Sequence, residues 1–190
     1  MGALNRIKAM MLQPEAEWDA VAREMPAAVV LLRSFLLPLA LLAPLATIIG
    51  MLIFDTGWNP EYGYSMLRDR APMIALGTYA FEIASVYLLA VIFYLLARTE
   101  GRSPSFLVAF RLAVFGSIPL LLSGATLVIP FNVIFTMIAM FYSFYLYFLG
   151  AARLIGIRPS DASMFVGVAM FCMMVLSGFM GGFASMLGLF

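Results

Sequence analysis

The chain has 190 residues, 64% of them apolar and 11% charged, with a formal net charge of +1, no histidine and one cysteine, Cys172. A soluble domain carries about 45–50% apolar and about 25% charged residues, and a chain this short has too little interior to hide such an excess from water. The composition excludes a His/Cys metal site, an intrachain disulfide and nucleophilic catalysis that leans on a histidine base; the near-neutral charge, with no basic stripe, excludes a nucleic-acid partner.

What remains is an all-α, polytopic transmembrane bundle. Residues 1–26 form a charged, interfacial leader, and residues 27–190 a single transmembrane domain. In the leader, Leu4, Ile7, Met10 and Met11 recur at helical spacing with Arg6 and Lys8 between them, the pattern of a short amphipathic helix lying on the inner leaflet. Pro14 can start a second helix with Glu15 and Glu17 in its first turn. Trp18, Val21 and Met25 share one face of that helix, and Trp18 suits the headgroup region. The first hydrophobic stretch begins only near Ala27, so the leader reads as part of the mature protein and not as an export signal.

Crossing a hydrocarbon core takes about 20 apolar residues. Five runs qualify, at about 34–54 (extending back to Ala27), 73–97, 106–128, 131–150 and 162–190. Residues 55–72 read as the one substantial loop. Residues 98–105 form a short polar turn with Ser103 as helix N-cap and Pro104 at the first helical position. Ile129-Pro130 is a tight turn. Residues 151–161 are the last polar connection, with Ser160 or Asp161 as the cap of the fifth helix. Merging the third and fourth runs into one broken unit gives a four-span alternative.

Arg6, Lys8, Arg23, Arg98, Arg102, Arg153 and Arg158 fall on one side of a five-span layout, and only Arg68 and Arg70 on the other. The positive-inside bias puts the N-terminus in the cytoplasm, the C-terminus outside and the protein in the cell inner membrane.

Ionisable groups inside spans are costly and need a reason. Glu82 lies near the middle of the second span, with Tyr79 three residues before it and Ser85 three after, on the same side. The three form a candidate intramembrane ion or proton site, or a structural hydrogen bond to a neighbouring helix. Arg111 is only about 8–10 Å deep against roughly 22 Å for Glu82, so pairing the two is awkward. Arg111 is expected to snorkel to the headgroups, joining Arg33, Arg98 and Arg102 in a basic rim for anionic lipids. Pro38, Pro44 and Pro119 break spans and free carbonyls. In the fifth helix, Gly178 and Gly182 form a GxxxG pair, with Ser177, Gly181 and Ser185 as a parallel stripe, expected to pack chiefly within the chain. Phe141, Tyr142, Phe144, Tyr145, Tyr147 and Phe148 read as an interfacial belt and bundle filler. The fifteen methionines are scattered and read as packing, so no metal and no cofactor are called.

The run Pro14-Glu15-Ala16-Glu17-Trp18 ahead of the first span, the long first loop, the tight third loop and the aromatic end Tyr145-Leu146-Tyr147-Phe148-Leu149-Gly150 together resemble the prokaryotic branch of the Yip family, the Ypt/Rab-interacting membrane proteins. The resemblance covers nearly the whole chain and implies five spans with a cytoplasmic N-terminus. Eukaryotic members bind Rab-type GTPases, but their Asp-Leu-Tyr-Gly-Pro signature is absent here, and Tyr62-Gly63-Tyr64 in the external loop is no substitute, so Rab binding does not transfer. The resemblance implies a non-enzymatic scaffold, lipid-organising or partner-binding protein. Its partners would be membrane lipids together with another protein or a second copy of itself. A small ion- or proton-coupled channel or transporter using Glu82 is the alternative.

Overall fold

A computed structural model describes residues 2–54, 63–129 and 133–186, with the side chains of 51–70, 180, 181 and 183–186 outside the description. The described residues are predominantly helical, with no strand among them. The leader holds α1 (Ala3–Leu12) and α2 (Pro14–Glu24). The first span comprises α3 (Ala28–Leu31), a π-helical turn (Leu32–Leu36), α4 (Leu37–Ala40) and α5 (Leu42–Phe54). The second is α6 (Gly63–Thr99). The third is α7 (Phe106–Gly116), α8 (Ile118–Ser123) and a 3-10 turn (Gly124–Val128). The fourth is α9 (Val133–Gly150), closed by a second π turn (Ala151–Ile155), and the fifth is α10 (Pro159–Met186).

Among the described residues, five stretches are long and apolar enough to cross a membrane: Ala28–Gly50, Ala71–Thr99, Phe106–Val128, Val133–Ile155 and Pro159–Phe179. The five-span reading stands, and the merged alternative falls because Phe106–Val128 and Val133–Ile155 each qualify alone. The third span is 78% buried inside the protein, against 39% or less for each of the others, so it is the axis around which they pack.

Several boundaries move. The second span's helix runs over Gly63–Thr99 and carries Pro72 inside it, so the part of the expected 55–72 loop that lies within the description is helix. The bilayer limits an apolar stretch, not the helical backbone, and the charged residues 68–70 let the helix run on past it. The third span starts at Phe106 with Ser105 in the capping position, not Ser103, and no side-chain cap bond is made there. Pro159, not Ser160 or Asp161, opens the fifth helix, with Asp161 in its first turn, where a carboxylate meets the positive end of the helix. The Ile129-Pro130 turn lies partly, and the four final residues wholly, outside the described residues.

In the first span, regular bonding is interrupted at Leu41, whose N–H turns to the Leu39 carbonyl. That leaves the Leu37 carbonyl to accept the Tyr79 hydroxyl of α6 at 3.4 Å. Pro119 stands where α7 gives way to α8. Beside it, Ser117 Oγ and the Tyr147 hydroxyl are 2.7 Å apart, joining the third and fourth spans in a fully buried pair.

Helix approach at that point depends on Gly116. A Cβ there would fall 2.2 Å from two ring carbons of Tyr147. The ring is held at its far end by the Ser117 contact and along its edge by Phe93, whose ring centroid lies 5.3 Å away. It has nowhere to go. Gly116→Ala is therefore expected to lower stability by about 1–3 kcal/mol, the usual cost of overpacking. A thermal unfolding curve in detergent checks this, and a wild-type midpoint would contradict it.

Candidate functional site

One end of the bundle gathers the leader, the 98–105 connection and the 156–161 connection. Gly156 lies beside the Arg102 guanidinium, and a cleft of about 270 Å³ is lined by Glu100, Gly101, Arg102, Ile157, Arg158 and Asp161. The two connections expected to share a side do so.

The leader is fastened to this end by four ties. Trp18 is fully buried; its ring meets Phe115 edge-on at 6.2 Å between centroids and fills the notch left by Gly150, where a Cβ would come within 2.7 Å of it. The Arg111 guanidinium, only 4% exposed, donates from Nε to the Pro26 carbonyl at 2.9 Å and from Nη2 to the Met25 carbonyl at 2.8 Å. Arg153 reaches Asp19 at 2.9 Å and Glu15 at 3.5 Å. The Tyr142 hydroxyl donates to the Met11 carbonyl at 2.8 Å. Apolar burial supplies the drive: Met10, Trp18 and Val21 have no exposed surface, and a fully buried Met or Val is worth about 1.5–3 kcal/mol. The Trp18 indole N–H has no hydrogen-bond partner among the described residues, which costs about 1–3 kcal/mol and offsets one such burial, not all three.

Within the leader, Arg6 faces inward instead of toward headgroups. Its Nε lies 2.7 Å from Glu17 Oε1, an ion pair whose N–H is not aligned along the contact, and its Nη2 bonds Glu24. The Arg6 hydrogen bond and charge hold the Glu24 carboxyl below the usual carboxylate range. Sequence reasoning missed this cluster because Arg6 sits on the polar side of the α1 pattern; the acidic Glu15, Glu17, Asp19 and Glu24 in the next helix were the available signal.

The expected lipid-contacting rim thus loses a member. Arg111 is turned inward onto two carbonyls, because the left-handed Met25 (φ 46°) and the Pro26 bend present acceptors that no helix supplies with donors. Arg33, Arg98 and Arg102 remain exposed, Arg98 lying 4.7 Å over the Tyr94 ring. Trp18 is likewise inside the protein and not displayed to headgroups. In the aromatic belt, Phe141 and Tyr145 face outward while Tyr147 is buried. A Cβ added at Gly178 or Gly182 would meet no atom within 4 Å among the described residues, so the intrachain packing expected of that pair is not seen among them; the surroundings of Gly181 and the Ser185 side chain lie outside the description.

Glu82, Val86, Leu89 and Phe93 follow at helical intervals along one face of α6, and the last three are buried. Glu82 therefore points into the bundle, half-buried, and makes no ion pair among the described residues. Ser85, one turn on, has a buried hydroxyl without a partner among the described residues, and Tyr79 is engaged with Leu37. No group of three or more His, Cys, Asp or Glu side chains suited to a metal occurs among the described residues.

Two outcomes follow. Arg111→Met should free the leader, since each hydrogen bond to a charged group is worth about 1.5–3 kcal/mol, and trypsin should then cut at Arg23 faster than in the wild type; equal cleavage would contradict the clamp. Because Glu24 has a depressed carboxyl, its contribution is complete above the normal carboxylate range and fades as pH falls through its folded value. Acidification should loosen the leader, as read by Trp18 fluorescence, and Glu24→Gln should flatten that response.

A family model described as the Yip1 domain matches residues 8–181. No curated protein and no solved structure matches the chain. The match takes in α2, all five apolar spans and the end of the bundle where the leader docks; the chain belongs to the Yip1 domain family.

Proposed function

We propose that the protein is a non-enzymatic scaffold of the cell inner membrane that binds a protein partner, and organises anionic lipid around it, through the leader end of the bundle facing the cytoplasm. The observation that carries this reading is the seating of the leader. A segment that only anchored the first span would need no buried tryptophan, no guanidinium clamp and no ion pairs to the fourth span. Fixing it in one conformation removes the ordering cost that a partner would otherwise meet on binding.

The charge pattern supports the same end. Lys8, Arg23, Arg33, Arg98 and Arg102 are exposed around the docked leader, and Glu100 and Asp161 line the cleft beside Arg102 and Arg158. Juxtamembrane cations of this kind attract anionic headgroups at about 1 kcal/mol each, and alternating signs give a protein partner something to register on. The missing Asp-Leu-Tyr-Gly-Pro signature favours the prokaryotic type and leaves Rab-type GTPases out of the reading.

A photo-crosslinker placed at position 102 in native membranes should yield one discrete protein adduct, reduced severalfold by Arg158→Glu. Only lipid adducts, together with solute flux through reconstituted liposomes, would overturn the scaffold reading.

A further inference from the structure

The Glu82 carboxyl, the Ser85 hydroxyl and the Tyr79 hydroxyl lie within two turns of α6, and the last of them meets the Leu37 carbonyl of the first span. The first two satisfy nothing among the described residues, although Glu82 continues the buried stripe of α6 and the Ser85 hydroxyl is shut away from solvent. An unpartnered hydroxyl buried in a protein costs about 1–3 kcal/mol and a lone ionised carboxylate far more. Two such groups a single helical turn apart, on a face that meets other helices, mark a place where a small occupant from outside the chain completes the bonding.

The elements packed against α6 include α4, α5, α7 and α10, and α9 meets it through Tyr147, whose ring lies against Phe93 and whose hydroxyl is paired with Ser117. Neither α4 nor α5 carries a titratable residue in its sequence. Of the titratable groups on α7 and α10, Arg111 is committed to the Met25 and Pro26 carbonyls, Asp161 to Arg158, and Cys172 is a half-buried free thiol. On α6 itself the tyrosines Tyr79, Tyr87 and Tyr94 flank the site, Tyr87 stacked on Phe110 and Tyr94 beneath Arg98. No fixed cation of the described chain competes for the Glu82 carboxylate.

We propose that Glu82 and Ser85 form an intramembrane exchange site for one monovalent cation, the proton being the smallest of that class. In the exchange the carboxyl O–H bond breaks, the proton passes to water, and a cation takes its place on the carboxylate oxygen with the Ser85 hydroxyl oxygen as second ligand. With the proton alone as occupant, the same bond opens and closes against water. Charge is conserved at the site in the first case and changes by one in the second. The proposal is independent of partner binding at the leader end.

Dicyclohexylcarbodiimide, which enters apolar interiors and captures protonated carboxyls as N-acylureas, tests it on the full chain in detergent micelles with peptide mass spectrometry. Glu82 should be modified in the folded protein, Glu82→Gln should abolish that adduct, and the rate should fall severalfold as pH rises. A further severalfold fall with sodium at fixed pH identifies a metal cation; a response to pH alone identifies the proton. Ser85→Ala should shift the midpoint of whichever response is seen, and an unchanged midpoint removes Ser85 from the site. The proposal is overturned if Glu82 is modified only after denaturation, or at a rate indifferent to both pH and sodium.

Discussion

A guanidinium inside a greasy bundle must find acceptors, and two carbonyls at a chain reversal must find donors. Arg111, Met25 and Pro26 solve both problems at once. The left-handed Met25 and the following proline stop the second leader helix and start the first span, so their carbonyls have no helical partner. Arg111 sits on the most buried span of the protein and supplies a planar, two-pronged donor that a lysine would not reproduce. Around that contact the leader, the first span and the third span acquire a fixed relation, and the fourth joins through Trp18 in the Gly150 notch and Arg153 on Asp19.

The forces on the two sides of this junction differ. Among the spans, lipid is as apolar as leucine, and close contact comes from shape: Tyr147 laid on Gly116, Phe93 stacked with Phe165 at 5.7 Å. The leader lies outside the candidate spans, and there the hydrophobic effect can act on Met10, Trp18 and Val21. Ion pairs such as Arg6 with Glu17 then select the orientation in which those side chains go under.

The number of spans was legible because hydrocarbon thickness fixes an apolar length, and each of the five runs meets it on its own. Helix ends were less so: Gly63 begins α6 ten positions before its apolar run, since nothing in the bilayer prevents a charged segment from being helical. Glu82 stood out in the sequence because an ionisable group inside a span is costly; the buried Val86 and Leu89 that continue its face of α6 are given by the structure. Arg111 was misread because depth along a helix says how far a side chain must reach to water, while its partners, 85 and 86 positions earlier in sequence, are set by tertiary packing alone. The Gly178–Gly182 pair shows the converse limit: small residues permit close approach without naming the neighbour, and here no atom of the described residues comes within 4 Å of an added Cβ.

The span of those contacts along the chain has a consequence for assembly. The leader precedes all five spans in the chain, yet its clamp is on the third span and its other ties reach Phe115, Tyr142, Gly150 and Arg153. It therefore waits, with Trp18 uncovered, until the fourth helix has been inserted. Residues synthesised before the spans are among the last to be seated, and any factor that shelters nascent apolar surface has a long opportunity there.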